Sequence, residues 1–181
     1  MKNQNLRKIV MTAVFAAIAV ACSAVTIPVF ASKCAPVQHL VNILSGVFLG
    51  PWYAVAQAFT ASLIRNLMGT GTLLAFPGSM IGALLGGFAY RIFKKYPFAC
   101  IGEVIGTGLL GGMAAFLVAS LAMGKEAALF TYVPAFLLSS FGGALLAFLI
   151  VPALKKAGFD RFFGAENPNK ERAEYAQKPA Q

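Results

Sequence analysis

Polar side chains set into apolar runs are costly to hold there, so each one in this chain is a candidate for function. The chain has 181 residues, 59% of them hydrophobic and 12% charged. The stretch Arg65–Gly87, RNLMGTGTLLAFPGSMIGALLGG, supplies Arg65, Asn66, Thr70, Thr72, Phe76 and Ser79. Gln38, His39 and Asn42 open another apolar run, Glu103 lies inside a third, and Phe130, Thr131 and Tyr132 lead into a fourth. Donors and acceptors converging between aromatic walls would suit a small polar heteroaromatic ligand. Each residue also has a plainer role. Arg65 could extend to lipid headgroups, His39 could be a hydrogen-bonded structural residue, and Thr and Ser hydroxyls could bond their own helix. Tyr132 and Phe130 fit an interfacial aromatic belt, as does Trp52 on the other side. A carboxylate placed like Glu103 must pair, accept hydrogen bonds or take up a proton. Its possible partners are a substrate, Arg65, Arg91 or the inner interface.

The motifs of catalysis are missing. The GTGTLLAF segment lacks the lysine of a GxxxxGK[ST] phosphate loop, so the chain does not hydrolyse ATP itself. There is no HExxH, and a single histidine excludes a multi-His metal site. No GxSxG-like serine motif accompanies His39. Neither an enzyme nor a resident cofactor or metal is expected. Cys22, Cys34 and Cys100 form no CxxC and imply neither a disulfide framework nor a zinc site. The net charge of +9 does not indicate nucleic acid, because the basic residues punctuate hydrophobic runs and form no continuous face.

The elements that must position these residues are membrane-grade helices. Charge at about half the level of a soluble domain, gathered into clusters, is the mark of a polytopic helical protein. Expected spans are Ile9–Phe30, Val37–Leu49, Trp52–Leu67, Leu73–Ile92, Phe98–Met123 and Phe130–Leu154. Gly50-Pro51 should separate the second from the third. Merging those two into one kinked span would give five crossings. Six crossings put Lys2, Arg7, Lys8, Arg91, Lys94, Lys95, Lys155, Lys156 and Arg161 on one side and leave Lys33, Arg65 and Lys125 on the other. By the positive-inside rule the first side is cytoplasmic, with both termini there. The expected organisation is therefore an all-α polytopic bundle over residues 1–157, followed by a charged, mobile cytoplasmic tail at 158–181. Met1–Ala21 before Cys22 also looks like a signal sequence. Ala19 stands where a lipoprotein signal would carry a bulky aliphatic residue, and the apolar run continues past Cys22, so the segment reads as a retained first span.

Small residues recur at helical spacing: Ala13, Ala17 and Ala21 in the first span, Gly78, Gly82 and Gly86 in the fourth, and Gly102, Gly106, Gly108 and Gly112 in the fifth. In lipid such stripes let backbones approach closely. The glycines are expected to pack inside the bundle. The alanine stripe could instead face another protein.

Three motifs then carry a family resemblance: PVQHLVNILSGVFLGPWYA at Pro36–Ala54, the Arg65–Gly87 stretch, and GEVIGTG at Gly102–Gly108. Together they resemble the ThiW type of S component, the substrate-binding membrane subunit of energy-coupling factor (ECF) vitamin transporters, over about residues 8–154. The resemblance implies a six-helix subunit in a prokaryotic plasma membrane that captures a thiamine precursor, the hydroxyethylthiazole moiety, outside the cell. It also implies a transmembrane coupling subunit and two ATPases on other chains, with transport by toppling of the subunit in the membrane. The AxxxA pattern that meets the coupling subunit in S components corresponds to Ala13 and Ala17, with Ala21 extending the stripe. In that setting Phe76 and Tyr132 would stack on the thiazole, while Gln38, His39, Asn42, Asn66 and Thr72 would bond its nitrogen and hydroxyl. A stand-alone facilitator or channel for a small polar solute is the alternative, and a membrane scaffold without a ligand is a third.

Overall fold

The computed structural model describes residues 2–24, 27–29, 32–126 and 128–162. Six long helices form the body: α1 (Lys2–Ala21), α2 (Pro36–Phe48), α3 (Pro51–Leu67), α4 (Ala75–Phe93), α5 (Tyr96–Ala122) and α6 (Val133–Lys156). A one-turn helix, α7 (Phe159–Phe162), follows. Three of the long helices, α1, α5 and α6, are long and apolar enough to cross a membrane by length and composition.

The first expected span is corrected at its end. The helix stops at Ala21, and after a short 3-10 turn the chain forms an antiparallel hairpin of β1 (Ile27–Val29) and β2 (Ser32–Cys34). The local sequence Ile27-Pro28-Val29 explains this. β-branched residues favour extended backbone, and Pro28 cannot donate to a preceding helical turn. Between α2 and α3, Gly50 takes φ +101°, a conformation costly for other residues, and Pro51 starts α3 where its missing N–H is harmless. Two helices therefore stand where one kinked span was the alternative.

Contacts between helices give their directions. Gln38 meets Ser62 while Ser45 meets Gln57, so partner numbers fall as α2 rises and the two helices are antiparallel. The same reading makes α3–α4 (Ser62–Ser79, Trp52–Phe88) and α5–α6 (Gly108–Leu137, Cys100–Ala144) antiparallel. Lys8 over Tyr53 and Ser23 on Thr70 run α1 parallel to α3. The chain thus passes up and down, with α1's start and α6's end at the same end of the bundle. Lys8, Arg91, Lys94, Lys155 and Lys156 lie at that end too. The β-hairpin and the 68–74 loop close the opposite end.

Glycine sets the closeness of the α4–α5 seam. A Cβ on Gly106 would stand 2.7 Å from the Cα of Gly82, and one on Gly102 would stand 2.9 Å from the Cα of Gly86. Only backbone against backbone fits there. Along α5, π-helical turns occupy Val104–Gly111 and Val118–Ala122. On α1, Phe15, Ala16 and Ala19 are buried against the body, whereas Ala13, Ala17 and Ala21 are exposed. The expected tail begins docked. Phe159 meets Phe48 edge-on at 5.0 Å and lies 6.5 Å from Phe15. The rest of the tail, from 163, lies outside the described residues.

Candidate functional site

α2 carries four polar side chains in 13 residues and is buried on nearly every side. Gln38, His39, Asn42 and Ser45 are all buried, among apolar neighbours that include Val41, Ile43 and Leu44. Because buried polar groups must be satisfied, their partners define the site.

Glu103 is 0% exposed, and its Oε1 accepts from Asn42 Nδ2 at 2.9 Å and from Thr107 Oγ1 at 3.0 Å. His39 Nδ1 lies 2.9 Å from the same oxygen. With an acceptor carboxylate there, Nδ1 is assigned as a donor, leaving Nε2 as the ring atom available to a ligand. Glu103 is thus bonded to α2 and its own helix, and pairs with neither Arg65 nor Arg91. Asn42 Nδ2 also donates to the Ser79 carbonyl at 3.2 Å, tying α2 to α4. Above this lies a relay whose direction follows from proton count. Ser79 Oγ donates to the Ala75 carbonyl (2.8 Å), so Ser62 Oγ must donate to Ser79 Oγ (3.0 Å) and accept from Gln38 Nε2 (3.3 Å).

These groups border a cavity of ≈ 50 Å³ at the hairpin end. Gln38, His39, Arg65, Thr70, Thr72 and Ser79 line it, together with Ala35, Gly71, Ala75, Phe136 and Ser139. Arg65 is 5% exposed, so it does not extend to the outer surface. The Thr70 and Gly71 amides both donate to its carbonyl at 2.9 Å, folding the loop back over the end of α3. Its own Nε has no hydrogen-bond partner among the described residues.

Five residues expected at the site do not line the cavity. Asn42 and Glu103 sit beneath it and fix His39. Asn66 Nδ2 donates to the carbonyls of Ser62 (2.9 Å) and Thr72 (3.1 Å), so it braces the loop. Phe76 packs on Phe59, with ring centres 5.7 Å apart. Tyr132 is buried among Leu74, Ala115, Ala119 and Phe136. The aromatic wall of the cavity is Phe136 instead, and Ser139 Oγ beside it accepts from the Ala35 amide at 2.8 Å. The signal for the missed side was Ser139-Ser140, paired hydroxyls inside the otherwise apolar α6.

Two larger clefts have a different character. One of ≈ 310 Å³ is an apolar groove of α5 and α6, lined by exposed residues such as Ile101 and Leu145. One of ≈ 340 Å³ lies at the opposite end, near Lys8, Arg91 and Lys94. Neither gathers buried, convergent polar groups as the small cavity does.

The family model for the thiamine-precursor transporter protein (ThiW) matches residues 9–157. The chain belongs to that family. No curated protein and no solved structure matches it. The ThiW match runs from the first helix to the end of α6, so it takes in every residue lining the cavity. As a ThiW-family transporter the chain is a membrane protein with a small-molecule substrate, and its polar cavity is the natural place to look for that substrate.

Proposed function

We propose that this ThiW-family protein is the substrate-capture subunit of an ECF-type importer and binds the thiazole precursor of thiamine in the hairpin-end cavity. The observation that carries this reading is a buried set of convergent hydrogen-bonding groups around a small cavity in an apolar bundle. At ≈ 50 Å³ the cavity is far below the several hundred Å³ typical of drug-sized ligands, so it must widen to admit even a single ring. Phe136 offers the ring a face, His39 Nε2 and Gln38 offer hydrogen bonds, and the hydroxyls of Thr72 and Ser139 complete the polar wall.

In this proposal all six long helices cross the plasma membrane of a prokaryote. The Lys/Arg-rich end, with both termini, is cytoplasmic, following the positive-inside rule. The cavity then opens outward. The exposed face of Ala13, Ala17 and Ala21 meets a transmembrane coupling subunit, and ATP is hydrolysed by partner chains. Support comes from α1 itself, where Ala13, Ala17 and Ala21 are exposed at four-residue spacing while Phe15, Ala16 and Ala19 pack on the body. The test is titration of the purified full chain with hydroxyethylthiazole, the pyrimidine precursor and thiamine. Selective binding of the thiazole is expected, and equal or absent binding of it would overturn the substrate assignment. Uptake into vesicles holding only this chain would instead favour the stand-alone facilitator.

A further inference from the structure

Among the described residues Arg65 is a cation without an anion. Its side chain is 5% exposed and lines the cavity, and no hydrogen bond or ion pair holds it among the described residues. Glu103, the carboxylate buried in the bundle, makes no ion pair with it and is bonded through Oε1 to His39, Asn42 and Thr107, while its Oε2 has no partner among the described residues. A buried charge without a partner is strongly unfavourable.

A second feature points the same way. α4 begins at the cavity wall, with Ala75 and Ser79 of its first turns among the lining residues. This 19-residue helix has no side-chain cap at its N-terminus. Its first amides are already taken, Ala75 by the Thr72 carbonyl and Phe76 by that of Leu73, and Pro77 has none, so the helix offers an anion only the field of its dipole. Thr70 and Thr72, from the loop between Arg65 and α4, add hydroxyls on the same side.

We infer that the ligand of this cavity carries an oxyanion, a phosphate monoester or a carboxylate, and that Arg65 receives it. The inference rests on the cavity being the substrate site and deepens that reading: the thiazole ring lies toward Phe136 and His39, and its substituent ends in negative charge. A guanidinium can meet such a group with two parallel N–H donors, which a lysine cannot reproduce.

The test uses the full chain in detergent, as wild type, Arg65→Gln and Arg65→Lys. Each is titrated with hydroxyethylthiazole, its phosphate monoester, the corresponding thiazole carboxylate and inorganic phosphate, read by calorimetry and by thermal shift. The expected result is that one anionic thiazole binds wild type roughly 10–100-fold more tightly than the alcohol. Which anion wins separates phosphate from carboxylate. Arg65→Gln should abolish that preference, and Arg65→Lys should restore part of it. Alcohol binding equal to or tighter than both anions would overturn the inference and leave the thiazole site standing. A preference that survives Arg65→Gln would overturn the role of Arg65. If no thiazole binds, the substrate reading fails separately. Inorganic phosphate that stabilises wild type but not Arg65→Gln would then still support an anion site, and its failure to do so would sink both.

Discussion

The His39–Glu103 pair can be weighed by a double-mutant cycle. Glu103→Leu removes an acceptor that serves three donors, yet the three do not lose equally. Asn42 Nδ2 keeps the Ser79 carbonyl at 3.2 Å, and Thr107 Oγ1 keeps the Gly78 carbonyl at 3.1 Å. Only His39 Nδ1 is left with no partner, and an orphaned buried donor costs about 1–3 kcal/mol. His39→Leu leaves the carboxylate with two of its three donors and should cost less, of the order of 1 kcal/mol. In the double variant the orphan disappears with the ring, so the total should fall well below the sum of the singles. Hydrogen bonds between membrane helices have couplings averaging about 0.6 kcal/mol and reaching about 1.7. A fully buried carboxylate belongs at the top of that range, so the expected coupling is about 1–2 kcal/mol. Unfolding free energies measured in mixed micelles would supply the four corners of the cycle. Additivity of the two singles within about 0.5 kcal/mol would refute the reasoning. It would mean that His39 and Glu103 do not depend on each other in the folded protein.

Other outcomes follow from the packing. Gly82→Ala puts a methyl 2.9 Å from the Glu103 carboxyl carbon and against the Thr107 hydroxyl, and should destabilise by about 1–3 kcal/mol in thermal unfolding. Gly142→Ala, whose new Cβ meets only Pro36 at 3.3 Å, should be nearly neutral. Ala17→Leu lies on the exposed face of α1, so it should leave melting temperature and ligand affinity unchanged while abolishing co-purification with a coupling subunit. Phe159→Ala removes the ring contacts to Phe48 and Phe15 and should lower stability by roughly 0.5–1.5 kcal/mol.

Hydropathy and helix-breaking residues made most of the bundle legible in advance. Gly50-Pro51 marked the α2–α3 turn, and the glycine spacing of α4 and α5 marked a close seam. The hairpin was hidden because Ile27, Pro28 and Val29 are as apolar as the helix before them, so hydropathy alone ran the span on to Phe30. At the site, the loop and α2 residues stood out because they are polar next to apolar runs. Phe76 was placed by nearness in sequence to that loop and Tyr132 by its position at the start of the last span, but helical phase decides where a ring points. Phe76 turns to Phe59, and Tyr132 turns into a cluster below. Phe136 and Ser139 reach the cavity from the far end of the chain. Glu103 was recognisable as a carboxylate needing partners, though α2 supplies those partners only once it lies against α5.

The burial of α2 also bears on how the chain enters a bilayer. With 13 residues, four of them polar and buried, and almost no outward face, α2 has nothing to offer lipid. Its Gln38, His39, Asn42 and Ser45 find their acceptors and donors on α3, α4 and α5. Two of those helices are translated before α5, which brings Glu103. If the helices cross the membrane as proposed, α2 completes its hydrogen bonds only once Glu103, 61 residues beyond Asn42, has joined the bundle.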